Sequence, residues 1–336
     1  MCSSDLGSAS GDLVRFTGLT QWNGFERSTN AAGRIVLTAP ALDAGFPAHE
    51  LILSWNTTPS AALRLEARCL PAAGPGPWVI FADWSLDTRR APRTSIRGQK
   101  GTGYELQTDT LILEAPTRRW QTRITFVPGS TESDLRFLGL SWLQRCSNPM
   151  SNPAAMAPPS GRLDVPIRSQ ADYPEGVTKW CSPVAASMLM AWWSGSRGRP
   201  ELDVPVPEVA RLVLDPGWPG TGNWAFNVAW MGSFPGVRAF VTRLTQLAEL
   251  ELLVGHGFPV AASVSYAILQ GRPQSQPGDG HLIVVTGFTP EGDVMANDPG
   301  VRLERVRRVF SRAAFEAAWR HSRNAIYLVQ IGRAHV

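Results

Sequence analysis

The sequence has almost no lysine: Lys100 and Lys179 stand alone among 32 basic residues, the rest being arginine. The formal charge of +4 therefore rests on scattered arginines and not on a basic stripe, which argues against a nucleic-acid partner. Arginine in place of lysine, with abundant Ala, Gly and Pro, points to a GC-rich bacterial genome. Long apolar runs are missing as well. The best candidate, Phe258 to Leu269, is interrupted by Pro259, Ser263 and Ser265 and falls short of the ~18 residues a spanning helix needs, so no integral membrane segment is expected. Cysteine is scarce. With Cys2 set aside, Cys69, Cys146 and Cys181 are too few and too far apart for a disulfide framework or a zinc knuckle; a Cys69–Cys146 bridge stays open.

What is present is globular: 336 residues, 43% hydrophobic and 18% charged, enough for two domains. The ends are anomalous. Residues 1–6 (MCSSDL) and 331–336 (IGRAHV) resemble translated sequencing-adapter DNA, as an assembled metagenomic sequence would carry, and are set aside from fold reasoning. A natural leader is then open, and with it the location, a secreted or cell-envelope setting being favoured.

Over residues 7–146 the dominant signal is period two. Leu63, Leu65, Ala67 and Cys69 alternate with Arg64, Glu66 and Arg68, and Trp120, Thr122, Ile124 and Phe126 alternate with polar neighbours. Further strands are expected at 33–38, 49–55, 78–84, 107–113 and 134–142, between Pro/Gly/Asn/Ser-rich turns, which together predict an all-β antiparallel sandwich. Its tryptophans read as core more readily than as a docking platform. The sequon Asn56-Thr57-Thr58 carries no expectation in a bacterial chain. Residues 147–161, with four prolines and no charge, form the linker. Beyond it, over 162–330, helices at about 183–193, 206–214, 224–231, 244–254 and 311–320 mix with strands at 237–242, 259–266, 281–288, 294–297, 301–307 and 325–330. Helices come first and sheet afterwards, which predicts α+β.

The chemistry centres on Trp180-Cys181-Ser182-Pro183. Pro183 suits a first helical turn, so Cys181 falls at a helix N-terminus, where free N–H groups and the macrodipole favour a thiolate. A buried cysteine acting as a small hydrophobe is the ordinary alternative. A nucleophilic thiol needs a base. His49 lies in the first domain, while His256 and His321 follow helices, where a histidine simply meets terminal carbonyls. His281 differs, because it opens the apolar strand Leu282-Ile283-Val284-Val285. With a hairpin turn centred on Pro290-Glu291, Thr289 faces Gly292 and Asp298 faces Ile283, which puts Asp298 on His281's face of the sheet and Asn297 on the other. A one-residue slip would exchange the two. Gln170, eleven residues before the cysteine, is a candidate amide donor for an oxyanion beside the Cys181 N–H.

The segments VPIRSQ, WCSPVAASM, GHLIVVTGF and NDPG, with GTGNWAFN at 220–227, resemble the bacterial papain-like cysteine peptidases of family thirty-nine, the double-glycine leader peptidase-like group, in soluble form with an upstream β-sandwich. The resemblance implies a papain-like fold over 162–330, with Cys181 the nucleophile, His281 the base, Asp298 its orienter and Gln170 the oxyanion donor. It implies a peptide or protein substrate and neither metal nor organic cofactor. Leader cleavage does not transfer, since nothing here is transmembrane or phosphate-cradling. Where the family commonly has Cys-Gly-Pro this chain has Cys181-Ser182-Pro183, so Ser182, with Trp180, is expected to flank and narrow the cleft. The same four residues would also serve an acyltransferase or a peptidoglycan amidase, and a binding module with a dead site is the alternative outside enzymology. The first domain, from its position alone, is expected to dock protein substrate or cell wall.

Overall fold

In the computed structural model, residues 12–145, 161–275 and 278–332 are described here. Cys146, and with it the question of a Cys69–Cys146 bridge, lies outside the described residues, as do most of the linker and residues 1–6.

The first region is strand-rich and antiparallel: β1 (Leu13–Leu19), β2 (Glu26–Thr29), β3 (Ile35–Thr38), β4 (Leu42–Thr57), β5 (Ala62–Cys69), β6 (Val79–Ser85), β7 (Lys100–Gly101), β8 (Tyr104–Gln107), β9 (Thr110–Phe126) and β10 (Leu135–Gln144). The strands do not separate into two sheets. They form one ten-stranded sheet, because β4 and β9 are long enough to run through both halves of it. Each is bent midway. Gly45 (φ +85°) and Pro47 interrupt β4, whose register with β9 shifts between Asp43 and Ala48, and Pro116 sits opposite in β9. The sheet thereby folds over itself, and Trp55 of β4 meets Trp84 of β6 edge-on at 5.8 Å between ring centres. Trp55, Trp84, Trp120 and Trp142 are all fully buried, as alternation predicts for core aromatics. The strand expected at 107–113 is instead a hairpin with its turn at Thr108-Asp109, Thr108 having φ +57°. Local alternation could not show the turn, because the Asp109 carboxylate that holds it is bonded 115 residues away, to the Trp224 N–H.

The second region holds β11 (Gly161–Arg162), α1 (Cys181–Arg197), α2 (Val206–Val213), α3 (Trp224–Met231), β12 (Val237–Arg243), α4 (Leu247–Gly255), β13 (Val260–Ser265), α5 (Tyr266–Leu269), β14 (Gly280–Phe288), β15 (Val294–Asn297), β16 (Arg307–Phe310), α6 (Arg312–Trp319) and β17 (Ala325–Ile331). Its main sheet runs β12-β17-β13-β14-β15-β16, antiparallel throughout, with β11 on β14. Helix α1 is buried on every side from Ser182 to Ala191 and packs on β14, so its N-terminus is fixed against the sheet. It ends at Gly198, in the left-handed conformation that glycine adopts without strain. The strand expected at 301–307 is displaced. Residues 298–306 make the loop that turns the chain back, and pairing begins at Asn297↔Arg307. Among the described residues no helix is long and apolar enough to cross a membrane.

The two regions share one hydrophobic core. Phe226 of α3 packs against both Trp55 and Trp84. The otherwise open edge of β12 is paired by side chains of β4: Asn56 donates to the Ala239 carbonyl (2.8 Å) and accepts from its N–H (3.0 Å), and the Ser54 hydroxyl accepts from the Val241 N–H (2.9 Å). The sequon asparagine is thus consumed in the interface, 1% exposed.

Candidate active site

Cys181 is the first residue of α1, with Trp180 at the N-cap position. The N–H groups of a first helical turn have no partner within the helix, so they face the thiol and whatever approaches it. The cysteine is partly exposed and lines a cleft of about 600 Å³. Its sulfur is within hydrogen-bonding reach of the His281 ring and of the Leu282 and Ser182 N–H groups. Burial alone would push the thiol pKa up; the His281 bond and charge and the two N–H groups outweigh it and hold the thiol below its ordinary value.

His281, second residue of β14 and 5% exposed, lies opposite Val264 in β13. The Tyr266 ring packs on it at 4.5 Å. Its Nε2 is 2.7 Å from Asp298 Oδ1, leaving Nδ1 for the thiol. Asp298, fully buried, accepts from the Gly300 N–H at Oδ1 (2.9 Å) and from Arg308 Nη1 at Oδ2 (2.9 Å). Burial would raise the carboxyl pKa, but His281, the Gly300 N–H and Arg308 together hold it below the usual carboxylate range. For His281, burial favours the neutral ring; bonds to Asp298 and Cys181 overcome that and carry the pKa up to about 9. Gly300 closes the pair from the side, since a Cβ there would stand 2.9 Å from the imidazole Cε1.

The hairpin brings His281 and Asp298 together with two departures from the expected register that cancel. The turn is one residue longer, Thr289 donating to the Asp293 carbonyl (2.9 Å), and a bulge between Val285 and Gly287 restores the pairing Val284↔Asn297. Asn297 faces the other way and donates to the Val165 carbonyl (3.2 Å).

Gln170, 7% exposed, borders the site without bonding to the thiol. Its backbone N–H donates to the Pro299 carbonyl (3.0 Å), next to Asp298, and its side-chain amide donates to the Val177 carbonyl (2.9 Å), four residues before Cys181. One amide hydrogen is therefore committed and one is left. Of the other histidines, His49 Nδ1 accepts from the Arg145 N–H (3.1 Å) and His256 Nδ1 contacts the Leu252 carbonyl (2.7 Å), while His321 lines the same cleft as Cys181 and lies 3.7 Å from Asp279.

Ser182 corrects an expectation. It does not narrow the cleft; it is fully buried, with its hydroxyl 2.8 Å from the hydroxyl of Tyr327 in β17. The helix turns its second residue toward the sheet, and Trp180 likewise leans on Tyr173, at 5.7 Å between ring centres. Ser182→Ala leaves the Tyr327 hydroxyl unpaired in the core, so we expect a loss of about 1–3 kcal/mol of stability in urea unfolding, with no change in the rate at which a small alkylating reagent labels Cys181. A faster labelling rate would show that the serine shields the thiol.

Sequence reading missed Arg308, because its strand was placed six residues early, and it missed the far wall of the cleft. That wall belongs to the first region: Glu50, Gln107, Thr108, Asp109, Thr110 and Ile112 line the same cleft as Cys181.

A thiol at a helix start, an imidazole on the neighbouring strand and a buried carboxylate behind it define the class of thiol–imidazole–carboxylate sites. Residues 162–327 match the profile of the Peptidase_C39 like family, and residues 20–140 match that of the Peptidase C39 N-terminal domain. The chain thus carries a C39-like peptidase domain behind a C39 N-terminal domain. No curated protein matches it. A crystal structure from Bacillus anthracis, provisionally designated a C39-like peptidase, is similar over 51% of this chain and 96% of its own, at 18% identity and a TM-score of 0.37. That likeness is too low to bear on the site.

Proposed function

We propose that the chain is a cysteine peptidase in which Cys181 is the nucleophile, His281 the general base and acid, and Asp298 the group that orients and charges the imidazole. The observation that carries this is the His281 ring, bonded through Nε2 to the buried Asp298 Oδ1 at 2.7 Å, with the Cys181 thiol held below its ordinary pKa by that same ring. The proton of the thiol rests on His281, and the thiolate attacks the amide carbonyl carbon. The resulting oxyanion is met by the Cys181 N–H and by the remaining Gln170 amide hydrogen. As the tetrahedral adduct collapses, the C–N bond breaks and the imidazolium hands its proton to the leaving amine, giving a thioester. Water, deprotonated by His281, then attacks the thioester and the thiol is restored.

The two pKa shifts give this a pH signature. A thiol held below its ordinary value beside a histidine carried up to about 9 is a thiolate–imidazolium pair over the interval between them. Labelling of Cys181 by a neutral alkylating reagent should set in at a lower pH than that of an ordinary thiol and stay fast at high pH, since the thiolate persists. Hydrolysis in a peptide-library digest should fall as pH rises through about 9, where the imidazolium that protonates the leaving amine is lost. Labelling that appears only as pH approaches that of an ordinary thiol would overturn the ion pair, and rapid labelling with no peptide cleaved would overturn the peptidase.

A further inference from the structure

The cleft at Cys181 lies between the two regions, and its most exposed large apolar side chain is Trp218, 43% exposed. Three observations show that this indole is held in place as a surface. Its ring lies over two glycines: a Cβ on Gly220 would stand 2.8 Å from the ring and one on Gly222 3.0 Å, so larger residues would displace it. The loop carrying it is bridged at its base, Asp215 pairing with Gly220. The Asp215 carboxylate, fully buried, accepts from the Gly217 N–H (2.9 Å), the Asn223 amide (2.8 Å) and, from the first region, the Ser95 N–H (2.9 Å). Arg97 bonds to the Gly217 carbonyl, and a Cβ on Gly217 would collide with the Ser95 carbonyl. The loop also reaches the nucleophile's own segment, since the Thr221 hydroxyl donates to the Lys179 carbonyl (2.8 Å), two residues before Cys181.

The first region lines the same cleft with Gln107, Thr108, Thr110 and Ile112, beside the charged Glu50, Asp109 and Arg145. The turn is anchored by the buried Asp109, whose carboxylate accepts from the Trp224 N–H (2.8 Å) at the start of α3. A fixed, exposed indole and the uncharged, partly apolar hairpin positions thus share one cleft with the thiol, in a lining that elsewhere carries Glu50, Arg243 and Arg323.

We propose that Trp218 is a specificity-determining residue that takes a large apolar side chain of an extended peptide near its scissile bond, and that the first region acts as the opposite wall of the substrate cleft and the clamp on the Trp218 loop. This rests on the peptidase reading for the nature of the substrate, and it deepens that reading by naming the side-chain class. An exposed indole held from behind gives contact area at little ordering cost.

The test uses the full chain with Cys181→Ala, so that peptides are bound and not consumed, against an immobilised library of extended peptides. Retained peptides should share a Leu, Phe or Met at one fixed position. Adding Trp218→Ala should weaken their binding about tenfold, the effect of one large apolar contact, while Trp218→Phe should recover most of it. Equal retention by Trp218→Ala, retention without a shared apolar position, or retention of a peptidoglycan glycan strand in place of peptides overturns the proposal, as does no retention at all. Digestion of the retained peptides by the wild-type chain separates the two readings. Peptides bound through Trp218 but not cut sink the peptidase alone; peptides cut equally well by the Trp218→Ala variant sink the Trp218 proposal alone.

Discussion

Cys181→Ala is expected to abolish peptide hydrolysis, and adding His281→Ala to it is expected to change nothing further. The two groups act as one unit: the imidazole both takes the proton that makes the thiolate and returns it to the leaving amine. Their effects should therefore be grossly non-additive. His281→Ala alone should lower kcat/KM by at least the ~10²–10⁴ attributed to a positioned acid–base group, and further to the extent that the thiol reverts to its protonated form. The second loss can be measured separately. Without the imidazolium, burial remains the leading influence on Cys181, and burial favours the thiol. Alkylation at pH 7 should then slow toward that of an ordinary buried cysteine, while at high pH it recovers. Asp298→Asn makes a graded version of the same change. An amide oxygen still accepts from Nε2, but the negative charge is gone and Arg308 loses its carboxylate partner, 2.9 Å away in the native chain. The upper limb of the hydrolysis profile should move down from about pH 9, the value the carboxylate helps to maintain. Unchanged labelling of Cys181 in His281→Ala would mean that the helix N-terminus alone makes the thiolate, and the base would have to be sought elsewhere.

The pairing of His281 with Asp298 was legible because a short hairpin leaves few registers and parity separates Asp298 from Asn297. The route to it was only partly right. The longer turn at Thr289–Asp293 and the bulge at Thr286 each shift the register by one residue, in opposite senses, and neither has a local signature strong enough to read. Helix α3 and strand β15 were located to the residue, since each has clear periodicity between breaking residues. The failures share a cause. The Thr108-Asp109 turn, the buried Ser182 and the interdomain wall of the cleft are all decided by partners more than a hundred residues away: Trp224, Tyr327 and the segment of β4 around Glu50. Alternation reports which face of a strand is buried but not against what, and a polar residue such as Asp109 or Glu50 on a β-strand pattern reads as solvated until its tertiary partner is known. Arg308 was missed by the same logic. Had its strand been placed at 307–310, parity would have set it beside Asp298.

Glu50→Gln is expected to be the most destabilising single polar substitution in the interface, at about 3–5 kcal/mol, the range for breaking a buried ion pair by removing one partner. Glu50, 2% exposed on β4, is the common counter-ion of three arginines: it accepts from Arg145 Nε at 2.7 Å and from Arg243 Nη2 at 2.6 Å, and it pairs with Arg323 Nε at 3.2 Å. Arg145 follows β10 in the first region, whereas Arg243 ends β12 and Arg323 precedes β17 in the second, so one carboxylate ties the two regions at the floor of the cleft. Arg243 is the most exposed to the loss. Its side chain is 3% accessible, and among the described residues its Nε and Nη1 have no hydrogen-bond partner. Burial already holds its pKa below the ordinary arginine value, with Glu50 the leading counterweight. Guanidinium cannot shed its proton at neutral pH, so taking away the counter-charge leaves it no route but partial opening of the interface to water. A hydrophobic replacement of the stranded cation should therefore restore what its removal of charge demands: Glu50→Gln with Arg243→Met should recover more than half of the loss in urea unfolding. If the single substitution costs less than about 1 kcal/mol, the cluster is hydrated well enough to stand without its carboxylate, and the shared apolar core around Trp55, Trp84 and Phe226 must hold the two regions together by itself.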